Sequence, residues 1–141
     1  MESYRKLKKG DGVKLLEILN QLSAVYSHAY FDEDDLIADE SCNCLVVEND
    51  ENIIGFGSLI TYHIPTKGLI GRIEDIVIDE KYRGAGLGRG LMEKLIELAK
   101  EKKINYITLT SNPSRVAARK LYESLGFETC ETEVFKLEIK K

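Results

Sequence analysis

The chain has 141 residues, enough for one domain with a sizeable core and too few for two. A hydrophobic fraction of 43% beside 31% charged residues is ordinary for a water-soluble globule and leaves no long apolar run of the roughly 20 residues that span a bilayer. The net charge of −4 lacks the basic excess with which a general nucleic-acid binder displaces counterions.

The N-terminal stretch Met1 to Lys6 has no signal-peptide core, so a cytoplasmic protein without membrane or nucleic-acid partners is expected. Tyr4 to Lys8 alternates and predicts a first strand, which Gly10-Asp11-Gly12 breaks, with Asp11 placed to cap the next helix. Val13, Leu16, Leu19 and Leu22, widened by Leu15 and Ile18, predict that helix to about Leu22. Ser23 to Tyr30 carries Tyr26, His28 and Tyr30 without a clear periodicity. Asp32 to Asp35 ahead of Leu36 and Ile37 predicts a second short helix with acids where the dipole favours them; a cationic substrate is the alternative use of these acids. Cys42, Cys44 and Cys130 are odd in number and lack a second ligand pair for zinc, so reduced, mostly buried thiols and no metal are expected.

Leu45 to Val47 predicts a strand, Asn49 to Asn52 a hairpin turn, and Ile53 to Ile60 its partner, in which Gly55 and Gly57 point to close backbone approach or a bulge. Tyr62 to Gly68, with His63, reads as a loop, and Leu69 to Ile78 as the central strand. Leu87, Leu91, Leu95 and Leu98, with Met92, Ile96 and Ala99 beside them, give a helix that ends in the basic run Lys100 to Lys103. Tyr106 to Thr110 predicts a strand. Asn112-Pro113 reads as the cap of a helix with Ala117, Ala118, Leu121 and Leu125 inward, stopped by Gly126. Thr132 to Ile139 alternates with Phe135, Leu137 and Ile139 on one face and predicts a last strand, which could pair in a homodimer if exposed. The sum is a single α/β domain over residues 1–141, a mixed sheet flanked by helices.

Between the central strand and the long helix lies Arg83-Gly84-Ala85-Gly86-Leu87-Gly88-Arg89-Gly90. Such a glycine loop opening a helix aims several N–H groups at one place, where the helix dipole also favours an anion, so a phosphate site is expected from Arg83 to Arg89. Arg83 and Arg89 could each add a side chain to it, Arg83 being the better placed. The dinucleotide fingerprint is excluded because Arg89 stands where its third glycine belongs, and no Gly-Lys-Ser/Thr ends a nucleoside-triphosphate loop. Arg83 to Gly88 resembles instead the pyrophosphate loop of the GNAT superfamily of acyl-CoA N-acyltransferases, and Leu121-Tyr-Glu-Ser-Leu-Gly-Phe127 resembles that family's last helix and its exit. The resemblance covers roughly Cys44 to Ile139.

It implies that the central strand and the strand after the glycine-loop helix splay apart, and that the wedge between them holds the pantetheine arm of acetyl-CoA, the acyl donor. The backbone of Ile76, Val77 and Ile78 would pair with pantetheine, and the Ile76 N–H would polarise the acyl carbonyl. Loop residues Arg83, Gly84, Ala85, Gly86, Leu87, Gly88 and Arg89 would hold the pyrophosphate. An amine acceptor is mostly protonated at neutral pH, so a carboxylate is a sensible general base. Glu74 is favoured over Asp75, which points to the opposite face of a regular strand unless a bulge intervenes. Tyr122 stands where many relatives place a general acid for the leaving thiolate. Many also carry an asparagine seven residues earlier; Arg115 occupies that position here, so no such contact transfers, and Asn112 and Ser114 are either cofactor ligands or helix caps. His28 and His63 read as surface or rim residues. Ile73-Glu-Asp-Ile-Val77 also looks like the corresponding segment of glucosamine 6-phosphate acetyltransferases. The acceptor, a small-molecule or peptide amine, stays open, and so does a catalytically inactive acyl-CoA sensor or partner-binding module.

Overall fold

The computed structural model describes residues 2–22, 32–50 and 52–139, so that Tyr26, His28 and Tyr30 fall outside the described residues. Contacts divide the chain into two compact units, Met1–Thr110 and Ser111–Lys141. In the first, β1 (Glu2–Lys6), α1 (Gly12–Leu19) and α2 (Glu33–Ala38) precede the hairpins β2 (Cys42–Asn49), β3 (Asn52–Ile64) and β4 (Gly68–Ile78); α3 (Leu87–Glu101) and β5 (Ile107–Thr108) follow. The five strands lie in the order β1-β2-β3-β4-β5, antiparallel except for the parallel pair β4 and β5. This is the mixed sheet with helices that the element pattern predicts, and most of its pairings are antiparallel.

Alternation sorts the core onto two faces. Leu15, Ile18 and Leu19 of α1 pack with Val46, Phe56 and Val77. Gly57, the neighbour of Phe56, looks the other way, toward Ile76 and toward Leu91 and Leu95 of α3. The sheet is therefore covered by α1 on one side and α3 on the other. No helix among the described residues is long and apolar enough to cross a membrane.

Several expectations are corrected. Asp11 stands at the N-cap of α1 without a side-chain cap bond. Its buried carboxylate instead accepts from the Lys8 N–H at 2.8 Å and from both terminal nitrogens of Arg5, which also reaches Glu48. Burial would raise the Asp11 pKa, but Arg5 and the Lys8 N–H hold it below the usual carboxylate range. A bidentate charged donor outbids a neutral helix N–H. The loop predicted from Tyr62 to Gly68 shrinks to residues 65–67, because β3 and β4 continue their ladder through His63↔Leu69 and Ile64↔Gly68. β1 and α1 each end earlier than expected, and β5 keeps two residues of its predicted five.

In the second unit, α4 (Val116–Ser124) starts after the predicted cap. The Asn112 side chain accepts from Ser114 N and Oγ, closing a turn ahead of the helix rather than the helix itself. None of its residues is buried, and Ala117, expected inward, is exposed. Gly126 ends it with φ +99°, as expected. Residues 132–139 form no strand, since a strand needs a ladder and these residues have none in the structure. Cys44 is buried and Cys42 half-buried, with sulfurs 3.6 Å apart, whereas Cys130 is exposed. Burial pushes both Cys42 and Cys44 up, so they stay protonated.

Candidate active site

β4 is paired on one side along its length and on the other only at its start. Its parallel register with β5 is Gly71↔Ile107 and Arg72↔Thr108, after which the ladder ends while β4 runs on to Ile78. From Ile73 to Ile78 the β5 side of this strand carries no strand pairing among the described residues. This parting of β4 and β5 is the splay that the sequence resemblance implied.

The same stretch is bulged. Phe56 faces Val77 and Ser58 faces Glu74, so Gly57 alone opposes both Asp75 and Ile76. Asp75 takes up the extra residue at φ +55°, in the left-handed region. The bulge shifts the alternation: Ile76 stays on the α3 face against Gly57, while Glu74 moves to the face of Ser58, whose hydroxyl donates to the Glu74 carbonyl at 3.0 Å. The charge of Asp75 helps to raise the thiols of Cys42 and Cys44, and that of Glu74 helps to raise the carboxyl of Asp75. Glu74 is ion-paired to Arg72. Asp75 is exposed as a residue, yet its carboxyl is raised above the usual range, first by partial loss of solvent and then by the charge of Glu74. A carboxylate in that condition accepts a proton more readily than one held by a guanidinium.

β4 then turns through a single 3-10 turn, Glu80–Tyr82, capped by Asp79, into the glycine loop. Gly84 and Gly86 have φ +89° and +80°, and the space around both is open, so the conformation and not crowding calls for glycine. Gly86 is the N-cap of α3 and brings no capping side chain. The first helical bond there runs from Gly90 N to Gly86 O, leaving the N–H groups of Leu87, Gly88 and Arg89 ahead of the ladder. Gly90 serves packing instead: a Cβ there would meet the phenol oxygen of Tyr4, which donates to Leu87 O.

Arg83 donates from Nε to Ile78 O at 2.9 Å and from Nη2 to Gln21 Oε1 at 3.5 Å, bracing the loop. Gln21 also accepts from Glu80 N and donates to Asp79, tying the end of α1 to the loop. No sequence motif marks Gln21, since its role is made only by two distant segments meeting. Arg89 lies exposed beside Glu93 at 3.8 Å. Of the acids at the start of α2, Asp32 caps that helix and Glu33 accepts from Gly10 N and Gly12 N. His63 is exposed near the end of β3, and His28 lies outside the described residues. In the second unit, Tyr122 is half-buried, its ring edge-on to Phe127 at 6.1 Å. No group of three or more metal-ligating side chains occurs among the described residues.

A profile of the acetyltransferase (GNAT) family matches residues 13–127. The glucosamine 6-phosphate N-acetyltransferase of Trypanosoma brucei brucei is 37% identical over 84 residues, which are 58% of this chain and 55% of that protein. The chain spans about half the length, or less, of the first curated relatives that it matches. The crystal structure of a Trypanosoma brucei acetyltransferase superposes with a TM-score of 0.81 at 28% identity, covering 99% of this chain and 100% of that one. A predicted acetyltransferase of Clostridium acetobutylicum, crystallised with acetyl-CoA, shares the fold with a TM-score of 0.78 at 22% identity, over 98% and 96% of the two chains.

Proposed function

The chain belongs to the acetyltransferase (GNAT) family, and from that premise we propose that it moves an acetyl group from acetyl-CoA to a primary amine by direct attack on the thioester. The observation that carries the reading is the parting of β4 from β5 immediately ahead of a glycine turn that leaves helix N–H groups bare. In this reading the backbone of Ile76, Val77 and Ile78 pairs with the amides of the pantetheine arm. The Ile76 N–H, next to the bulge, polarises the acyl carbonyl. The backbone from Arg83 to Arg89, through Gly84, Ala85, Gly86, Leu87 and Gly88, receives the diphosphate. Holding amine and thioester in line supplies much of the rate, because the thioester is already reactive.

The base belongs to the Glu74–Asp75 pair. Its raised carboxyl supports Asp75 as the group that takes the ammonium proton, and the Arg72 ion pair supports Glu74 as the charge that keeps it raised. Tyr122 is assigned the acid that protonates the leaving thiolate, on the strength of its place in Leu121-Tyr122-Glu123 within the matched region. That match crosses the boundary between the two units, which supports one acetyltransferase domain over residues 1–141. Glucosamine 6-phosphate is the first acceptor to try, because the Trypanosoma relative is named for it. The reading places the protein in the cytoplasm, with acetyl-CoA at hand.

The test is calorimetric titration with acetyl-CoA followed by a free-thiol assay over amino sugars, amino acids, polyamines and peptides. Saturable binding and amine-dependent CoA release are expected. Binding without release on any amine would replace the enzyme by an acyl-CoA sensor, and no binding would overturn the whole assignment.

A further inference from the structure

The start of β2 carries two thiols in succession. Cys42 and Cys44 stand two residues apart in a strand and so share a face, their sulfurs 3.6 Å from each other. Cys44 belongs to the core cluster with Leu7, Leu15 and Phe56, and half-buried Cys42 packs against that cluster. Both residues border a groove of about 490 Å³ that Leu7, Leu36, Asp39 and Lys102 also line, a size at which small molecules are bound. A small reagent can therefore reach the pair from solvent, by way of Cys42.

The spacing of the sulfurs selects the chemistry. A disulfide needs them about 2.05 Å apart, and residues two apart in a strand hold their Cα atoms roughly 6.4–6.8 Å from each other, at the upper limit of disulfide geometry. Linear coordination of a soft metal ion, with bonds of ~2.3 Å as in zinc thiolates, would spread the sulfurs to about 4.6 Å. The same bonds meeting at roughly 100° set them about 3.5 Å apart, which matches the pair. Zinc accepts such angles but asks for four ligands. Among the described residues no third His, Cys, Asp or Glu completes a set, and Asp39 is engaged by Ser41 N and Oγ. Trivalent arsenic is pyramidal, takes two thiols and brings its own third substituent.

We propose that Cys42 and Cys44 form a chelating site for a trivalent organic arsenical, whose arsenic carries two hydroxyl groups in water. Each thiol displaces one hydroxyl: an As–S bond forms, an As–O bond breaks, and the thiol proton leaves with the hydroxyl as water. Arsenic stays trivalent, so no oxidant or reductant is consumed. Cys42 meets the reagent first, and Cys44 closes the ring because its sulfur is already in contact. The adduct is neutral, which suits its place. Burial pushes both thiols up and so disfavours a pair of bare thiolates there.

The probe is phenylarsine oxide, mixed with the folded full chain in an excess of the monothiol glutathione and read by intact-mass spectrometry. The wild type and Cys130→Ser should each gain one phenylarsenic group in exchange for two thiol hydrogens, and lose it to the dithiol dimercaptopropanol. Cys42→Ser and Cys44→Ala should each hold the group at least about 100-fold more weakly, since a single thiol forfeits the chelate. Should either variant unfold, X-ray absorption at the arsenic edge of the loaded wild type decides, with two sulfurs and one carbon expected around arsenic. A folded wild type that takes up no arsenic, an adduct that either single variant keeps, its loss from Cys130→Ser, or a single sulfur at arsenic would each overturn the site.

Discussion

Replacing Gly57 with alanine would place a methyl group 2.5 Å from Ile76 Cδ1, 3.1 Å from Leu91 Cδ2 and 3.3 Å from Leu95 Cδ1. Carbon atoms pack comfortably at roughly 3.5–4.0 Å, so all three contacts are too close. The tip of Ile76 can swing, but Leu91 and Leu95 are fully buried and hem it in. Overpacking of this kind costs about 1–3 kcal/mol. The stiffer unfolded chain of an alanine variant returns about 0.4–1 kcal/mol. The net loss of about 1–2 kcal/mol corresponds to a fall in Tm of roughly 3–6 °C for a domain of this size. The displaced residue is also the one whose N–H is assigned to the acyl carbonyl, so turnover should fall on the order of 10-fold or more. Scanning calorimetry and the thiol assay measure the two effects. Gly88→Ala is the control for the melting alone, since Gly88 lies in the loop assigned to the diphosphate: its new methyl meets only Ile78 Cγ1, at an ordinary 3.9 Å, and alanine favours a helix. If Gly57→Ala melts and turns over like the wild type, the bulge is not packed as described and the reasoning fails.

Gly86→Val forces a branched residue to φ +80°, which costs about 1–3 kcal/mol locally and turns the N–H groups of Leu87 and Gly88; acetyl-CoA affinity by calorimetry should drop at least about 10-fold, and an unchanged affinity would remove the loop from the site. Asp75→Asn should lower kcat roughly 10²–10⁴-fold and erase the acidic limb of the pH–rate profile. Because the folded pKa of Asp75 is raised, its protonated form favours the fold, a contribution present below the unfolded value of about 3.9 and lost as pH rises through the folded value. Asp75→Asn should therefore hold or raise Tm at pH 7, and a marked fall would mean that the carboxylate is structural. Tyr122→Phe should reduce kcat far more than acetyl-CoA affinity, and equal loss in both would assign the phenol to binding.

The local rules were legible wherever a single segment satisfies itself. The stripe Leu87, Leu91, Leu95 recovered α3, and the acids ahead of Leu36 recovered α2. Within the glycine loop, Gly84 and Gly86 take positive φ, whereas Gly88 and Gly90 do not. Where an ion pair competes for a side chain, the prediction failed. Asp11 left its capping role for Arg5.

Composition, periodicity and the order of glycines thus decided the class of fold and the position of the glycine turn, because each depends on neighbours a few residues apart. The phase of β4 was decided only in three dimensions. Gly57 alone opposes both Asp75 and Ile76, and the strand bulges there. Where the β4–β5 ladder stops was likewise set by the tertiary structure, for it joins strands far apart in the chain and ends at Arg72↔Thr108 while β4 runs on to Ile78.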